Sequence, residues 1–227
     1  MASLLAALLA CVPQGDAPAG LHDIAVQTEH GEQRFTLSIP DNADSGTQPL
    51  VLALHYGGSP SPFYGRGLIE QLIGPGFSAL NAYIVAPETT GGDWSTDRNA
   101  AYIEALLHCI TTSYDIDSAK IILTGYSMGA MGTWHFLKTM PNQFSAAVPI
   151  AGFGSSLPES SVPTFTLAAP RDEIFPLDRL QTMLKQRPEI VFEEVDANGH
   201  FDLPGFIPAL REKAIPWIQK QWETTND

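Results

Sequence analysis

The chain has 227 residues, with 12 Lys and Arg against 25 Asp and Glu, a formal net charge of −13. Such an excess of negative charge argues against nucleic acid or an anionic membrane surface as a partner, since both would repel it. The length suits one α/β domain, no composition shift marks a second, and two cysteines, Cys11 and Cys109, give neither a disulfide framework nor a zinc-site spacing.

Met1 to Cys11 is apolar and ends in small residues before the cysteine, and Val12 to Gly20 is a Pro/Gly/Ala linker. Leu8-Leu9-Ala10-Cys11 resembles a bacterial lipobox, which implies export and a lipid anchor at Cys11; without such processing the chain would stay cytoplasmic. The Lys or Arg that usually opens a signal peptide is missing, and the run is too short to span a membrane as a helix. Residues 1–20 are therefore read as a signal and linker segment, and 21–227 as the folded domain.

Ile24 to Gln27 and Arg34 to Ile39 read as an antiparallel hairpin that turns through 29–32. Strands are then expected near 50–54, 82–86, 120–124, 146–150, 164–168 and 190–195. Helices are expected between them near 66–80, 98–112, 129–139, 177–186 and 205–222, with Cys109 packed in the second. This alternation argues an α/β fold, a mostly parallel central sheet with helices on both faces.

The strand Leu50 to Leu54 opens into His55-Tyr56-Gly57-Gly58-Ser59-Pro60, similar to an H-G-G-G loop that supplies an oxyanion-hole N–H, here from Gly57. His55 precedes the candidate serine in the chain, so its expected task is to brace this loop. Further on, Trp94 follows a strand end on the same side. It is read either as a wall of a substrate pocket or as a loop tryptophan packed on the helix that starts near Asn99.

Lys120 to Thr124 leads into Gly125-Tyr126-Ser127-Met128-Gly129 and then a helical stretch, the strand, G-x-S-x-G turn and helix of a nucleophile elbow. Glycine is needed two residues either side of Ser127 because neighbouring backbone approaches there. A serine hydroxyl is a weak nucleophile and needs a histidine to take its proton and an acid to orient that histidine, in the chain order Ser, acid, His. Asp172, just past the strand ending at Ala168, is the candidate acid, with Glu173 its close competitor and Asp178 placed at the start of the next helix. His200, on a glycine-containing loop after the last strand, is the candidate base among six histidines. The N–H of Met128, the residue after the nucleophile, completes the oxyanion pair with Gly57. Such a site needs no metal or cofactor.

On these residues the chain resembles the α/β-hydrolases, and among them small bacterial esterases related to phospholipase/carboxylesterase, polyhydroxybutyrate-depolymerase-like and prolyl-oligopeptidase-like hydrolases. The strongest segment runs from Lys120 to Gly152, with Leu54 to Gly58, Ile84 to Pro87, the Asp172-to-Pro176 turn and Gly199-His200 in support. One departure is that Ala168-Ala169-Pro170-Arg171-Asp172 stands where related esterases commonly read His-Gly-x-x-Asp. The resemblance implies hydrolysis of small-molecule or polymer-linked esters through an acyl-enzyme. Only about a dozen residues separate the strand ending near Ile150 from that starting near Thr164, too few for a large lid. Short acyl or polysaccharide-linked acetyl and feruloyl esters are expected, the last stacking on Trp94. The alternatives are a lysophospholipase or thioesterase, a serine peptidase on the same scaffold, or a non-catalytic envelope binding protein.

Overall fold

Alternation along Leu50-Val51-Leu52-Ala53-Leu54 sends the three leucines to one apolar layer and Val51 and Ala53 to another. All five are buried, so this strand needs a cover on both sides. The computed structural model, which describes residues 17–28, 31–41, 43, 46–59 and 61–224, shows how the chain provides them. Cys11 and the signal reading lie outside the described residues, as does the tip of the hairpin at 29–30.

Eight strands make one open sheet: β1 (Gly20–Thr28), β2 (Gly31–Ile39), β3 (Gln48–Leu54), β4 (Tyr83–Pro87), β5 (Ile116–Tyr126), β6 (Ala146–Ile150), β7 (Phe165–Ala168) and β8 (Val191–Glu194). Their order is β1-β2-β4-β3-β5-β6-β7-β8. The expected hairpin pairs β1 with β2, and β2 joins β4 antiparallel; every other pairing is parallel. The helical segments are α1 (65–80), α2 (Asp97–Ser113), α3 (Met128–Thr139), α4 (Leu177–Leu184) and α5 (203–224). From α2, α3 and α4, Ile103, Leu106, Phe136 and Leu180 pack in the layer of Leu50 and Leu52. From α1 and α5, Leu72, Phe77, Leu210 and Ile218 pack in the layer of Val51. Each such side chain contributes about 1.5–3 kcal/mol of burial, so the sheet is held from both faces.

Elements fall close to their expected positions, with two informative differences. The strand expected at 120–124 runs from Ile116 to Tyr126: Ile116 pairs with Gln48 across a register shift, and Gly125 and Tyr126 stay paired with Pro149 and Ile150. The helices expected at 66–80 and 205–222 are not uniformly α. Each widens into a π turn, at Ile69–Ile73 and at Leu210–Ala214. The next residue closes each turn with a bond five residues back, Gly74 N–H to Ile69 O and Ile215 N–H to Leu210 O. Pro75 and Pro216 follow immediately. A proline lacks an N–H and its ring crowds the carbonyl four residues back, and the widened turn keeps the preceding bond while relieving that crowding.

Because β3, β5, β7 and β8 run parallel, the segments after them, 55–59, 127, 169–176 and 195–202, emerge along one edge of the sheet. Residues 151–164 contain no helix or named strand, only a bridge from Thr164 to Ala147, and no lid domain rises from them. No helix among the described residues is long and apolar enough to cross a membrane.

Candidate active site

At the end of β5 the backbone turns into α3 through Ser127, which has φ 57° and ψ −115°. This left-handed conformation is costly for a residue with a side chain and is held from both sides. Ser127 N–H donates to Ile150 O at 3.0 Å, and Met131 N–H donates to Ser127 O at 3.1 Å. A Cβ on Gly125 would overlap the Gly129 carbonyl, and one on Gly129 would overlap the Leu54 carbonyl. Glycine at both positions therefore answers to close backbone approach.

The Ser127 hydroxyl donates to His200 Nε2 at 2.8 Å, and the opposite ring nitrogen, Nδ1, donates to Asp172 Oδ2 at 2.8 Å. His200 and Asp172 are both buried. The other carboxylate oxygen of Asp172 accepts the N–H groups of Ile174 at 2.8 Å and Phe175 at 2.7 Å, which fixes the plane in which it meets the imidazole. Asp172, not Glu173, thus reaches the ring. Glu173 accepts the main-chain N–H of His200 at 2.8 Å, a role that sequence reasoning missed. Asp178 lies in the first turn of α4, as its reading supposed.

Met128 is the first residue of α3, so its N–H has no acceptor within the helix and is free to face an anion. Gly57 lies against it: a Cβ built on Gly57 would sit 3.7 Å from Met128 Cβ. The loop carrying Gly57 is pinned through His55, whose Nδ1 donates to Tyr56 O at 2.7 Å while Nε2 accepts Thr89 N–H at 3.2 Å. Those two bonds use both ring nitrogens and define a neutral tautomer.

Of the two readings for Trp94, the wall of a pocket is met only in part: the residue borders a groove but is almost wholly covered. It is only 1% exposed, its indole N–H donates to His55 O at 3.0 Å, and its ring meets the His55 ring edge-on at 4.9 Å. It packs on α3, where a side chain at Gly132 would overlap it, and no face is open for an aromatic acyl group to stack on. Through its bond to His55 O, Trp94 supports the loop carrying Gly57. The groove that it borders, of about 660 Å³, is lined by Met128, Met131 and Trp134 together with Asp93, Ser95 and Lys138. Large apolar side chains exposed beside the site include Phe201, at 74%, edge-on to the His200 ring, Ile174, at 49%, and Met131, at 40%.

Burial holds the His55 imidazole below its usual value of 6.5. The folded protein therefore binds this proton less readily than the unfolded chain, and the stability linked to neutral His55 is complete above about pH 6.5 and lost as the pH falls below it. We expect the melting temperature to fall between about pH 7 and about pH 5, and His55→Gln to flatten that slope in calorimetric scans at fixed ionic strength. An unchanged slope would place the acid sensitivity elsewhere.

No family model matches the chain. A bifunctional acetylxylan esterase/xylanase from Neocallimastix patriciarum is 26% identical over 145 residues, 60% of this chain and 21% of that protein. The chain thus spans about a fifth of the length of that curated relative. A solved thermostable esterase superposes with a TM-score of 0.69 at 22% identity, covering 88% of this chain and 62% of the other. An α/β serine hydrolase without a lid from Xanthomonas campestris superposes with a TM-score of 0.67 at 16% identity, covering 88% and 96%. The mostly parallel sheet is common ground with these structures, and the chain has the α/β-hydrolase fold.

Proposed function

We propose that the chain is a serine carboxylic-ester hydrolase that works through an acyl-enzyme. The observation that carries this reading is the unbroken line of hydrogen bonds from Ser127 through His200 to Asp172, raised on a strained turn at the open edge of the sheet. Ser127 Oγ attacks the ester carbonyl carbon as its proton passes to His200 Nε2, while the Nδ1–H stays directed at Asp172. The carbonyl oxygen, now negative, is held by the N–H groups of Gly57 and Met128. Collapse of this intermediate breaks the bond to the alcohol oxygen, which leaves with the proton from Nε2. Water repeats the cycle on the acyl-serine, giving up its proton to His200, and releases the acid with Ser127 restored.

Ser127→Ala should abolish turnover of p-nitrophenyl acetate and labelling by a fluorophosphonate while leaving far-UV circular dichroism unchanged. Asp172→Asn should lower kcat by about 10⁴, because an amide favours the wrong imidazole tautomer. Parental activity in either variant would sink the assignment.

Short acyl groups or acyl groups carried on a polysaccharide form the substrate class within this proposal. Three features support it: the acetylxylan esterase named in the relative, the lack of a lid over 151–164, and a groove beside Met128 in which Asp93, Ser95, Lys138 and Ser155 stand among apolar side chains and could meet the hydroxyls of a sugar alcohol. An uncovered site buries few methylenes, each worth about 0.8 kcal/mol, so acetyl and butyryl esters should exceed palmitoyl esters in kcat/KM. A preference for C12 or longer chains would shift the reading towards a lipase or lysophospholipase. Stacking of a feruloyl ring on Trp94 has no support from its burial.

Export belongs to the same proposal and rests on sequence alone, with Cys11 as the lipid attachment point after Leu8-Leu9-Ala10. Cells fed an alkyne fatty acid should label the full-length protein, and Cys11→Ser should lose the label. Absence of label in the parent would remove the anchor from the proposal.

A further inference from the structure

A general base on a loop is only as well placed as its main chain, because a small rotation of the backbone swings the imidazole out of line. The segment that carries His200 has little sheet to lean on: it follows β8, a four-residue strand at the end of the sheet order. Beside its own Asp202, which accepts the Asn198 N–H at 2.9 Å, its support comes from three consecutive residues of the neighbouring segment. Arg171 Nε donates to Ala197 O at 3.1 Å, Asp172 takes the His200 ring, and Glu173 Oε2 accepts the His200 N–H. From the opposite side, the hydroxyl of Tyr126, buried in the elbow itself, donates to His200 O. His200 is therefore gripped at its main-chain N–H, its main-chain carbonyl and both ring nitrogens.

We infer that Glu173 and Tyr126 are positioning residues for the general base, clamping the His200 main chain so that its ring stays in line between Ser127 and Asp172. This rests on the serine-hydrolase reading of the site. The residue before His200 is shaped for the clamp. Gly199 has φ +135°, and a Cβ there would stand 2.9 Å from Glu173 Oε2, so any side chain would displace the carboxylate. The bond is charge-assisted, and the His200 N–H is the largest influence holding the Glu173 carboxyl below its usual range. On the other side, burial pushes the Tyr126 hydroxyl above the usual phenol range, which keeps it protonated and donating throughout the working pH. The Tyr126 ring also lies 5.6 Å from the His200 ring and 5.7 Å from that of Phe206, so the hydroxyl cannot swing away without disturbing the layer of α5. The ion pair of Arg171 with Asp196 is exposed and adds little.

The test compares Glu173→Ala, Glu173→Gln and Tyr126→Phe with the parent, all on the full chain. Glutamine keeps an acceptor oxygen for the His200 N–H and alanine does not. Displacement of a catalytic group by about 1 Å costs on the order of a hundredfold; with the ring still tied to Asp172, Glu173→Ala and Tyr126→Phe should each lower kcat by about tenfold with KM within about twofold. Glu173→Gln should recover most of that loss. A readout independent of turnover is the low-field proton resonance of the His200 Nδ1–H bound to Asp172: it should broaden in Glu173→Ala and stay sharp in Glu173→Gln. A kcat within about twofold of the parent in Glu173→Ala, or Glu173→Gln no better than Glu173→Ala, would overturn the clamp. Unchanged resonances in both Glu173→Ala and Tyr126→Phe would overturn it even if the parent proved inactive. A parent that neither hydrolyses esters nor reacts with a fluorophosphonate would instead overturn the hydrolase reading.

Discussion

Two stretches of bare backbone meet beneath Ser127. Gly129 at the start of α3 lies so close to Leu54 at the end of β3 that no side chain fits between them, and Gly125 and Gly129 exclude side chains from each other. The first contact brings the loop carrying Gly57 beside the first turn of α3. It also brings the helix close enough for Phe136 and Leu137 to be buried over the sheet, a gain that outweighs the one to three kcal/mol of order that a left-handed non-glycine residue costs. Strain at the serine and packing of the helix are two sides of one arrangement.

The loops on either side of β5 are pinned in the same way. Trp94 donates its indole N–H to His55 O after β3, and Trp134 donates its own to Gly152 O after β6. Both tryptophans are buried, and each satisfies its one polar atom on backbone that would otherwise be free to move. His55 continues the first of these chains to Tyr56 and Thr89, so the loop carrying Gly57 is braced by an imidazole whose neutral form burial favours. Among the described residues every buried side-chain nitrogen and oxygen has a partner. A site that keeps its polar groups satisfied at rest has little reorganisation left to do when charge develops on a substrate.

Much of this was legible in the chain, and the reasons differ by residue. The alternation of apolar strands and amphipathic helices is a local pattern that burial rewards directly, so the order of elements and the parallel sheet could be read from it. The π turns in α1 and α5 also had a local signal, in Pro75 and Pro216, although not one that a helical period reveals. Trp94 was undecidable because a tryptophan near a strand end looks the same whether its face is open or covered; the covering residue is Gly132, 38 positions away.

The sequence by itself determined the strand–turn–helix around Ser127, the glycines that turn requires, and the chain order of a serine, an acid and a histidine, because each depends on neighbours within a few residues. Tertiary structure decided which carboxylate meets the imidazole. Asp172 and Glu173 are adjacent and chemically alike, and only the path of the segment 195–202 across the edge of the sheet sends one to the ring and the other to the main chain of His200. It likewise decided that Tyr126, to which the elbow pattern assigns no task, reaches the His200 carbonyl 74 residues on. Contacts of that span are set by how strands stack side by side, and no local pattern of residues encodes them.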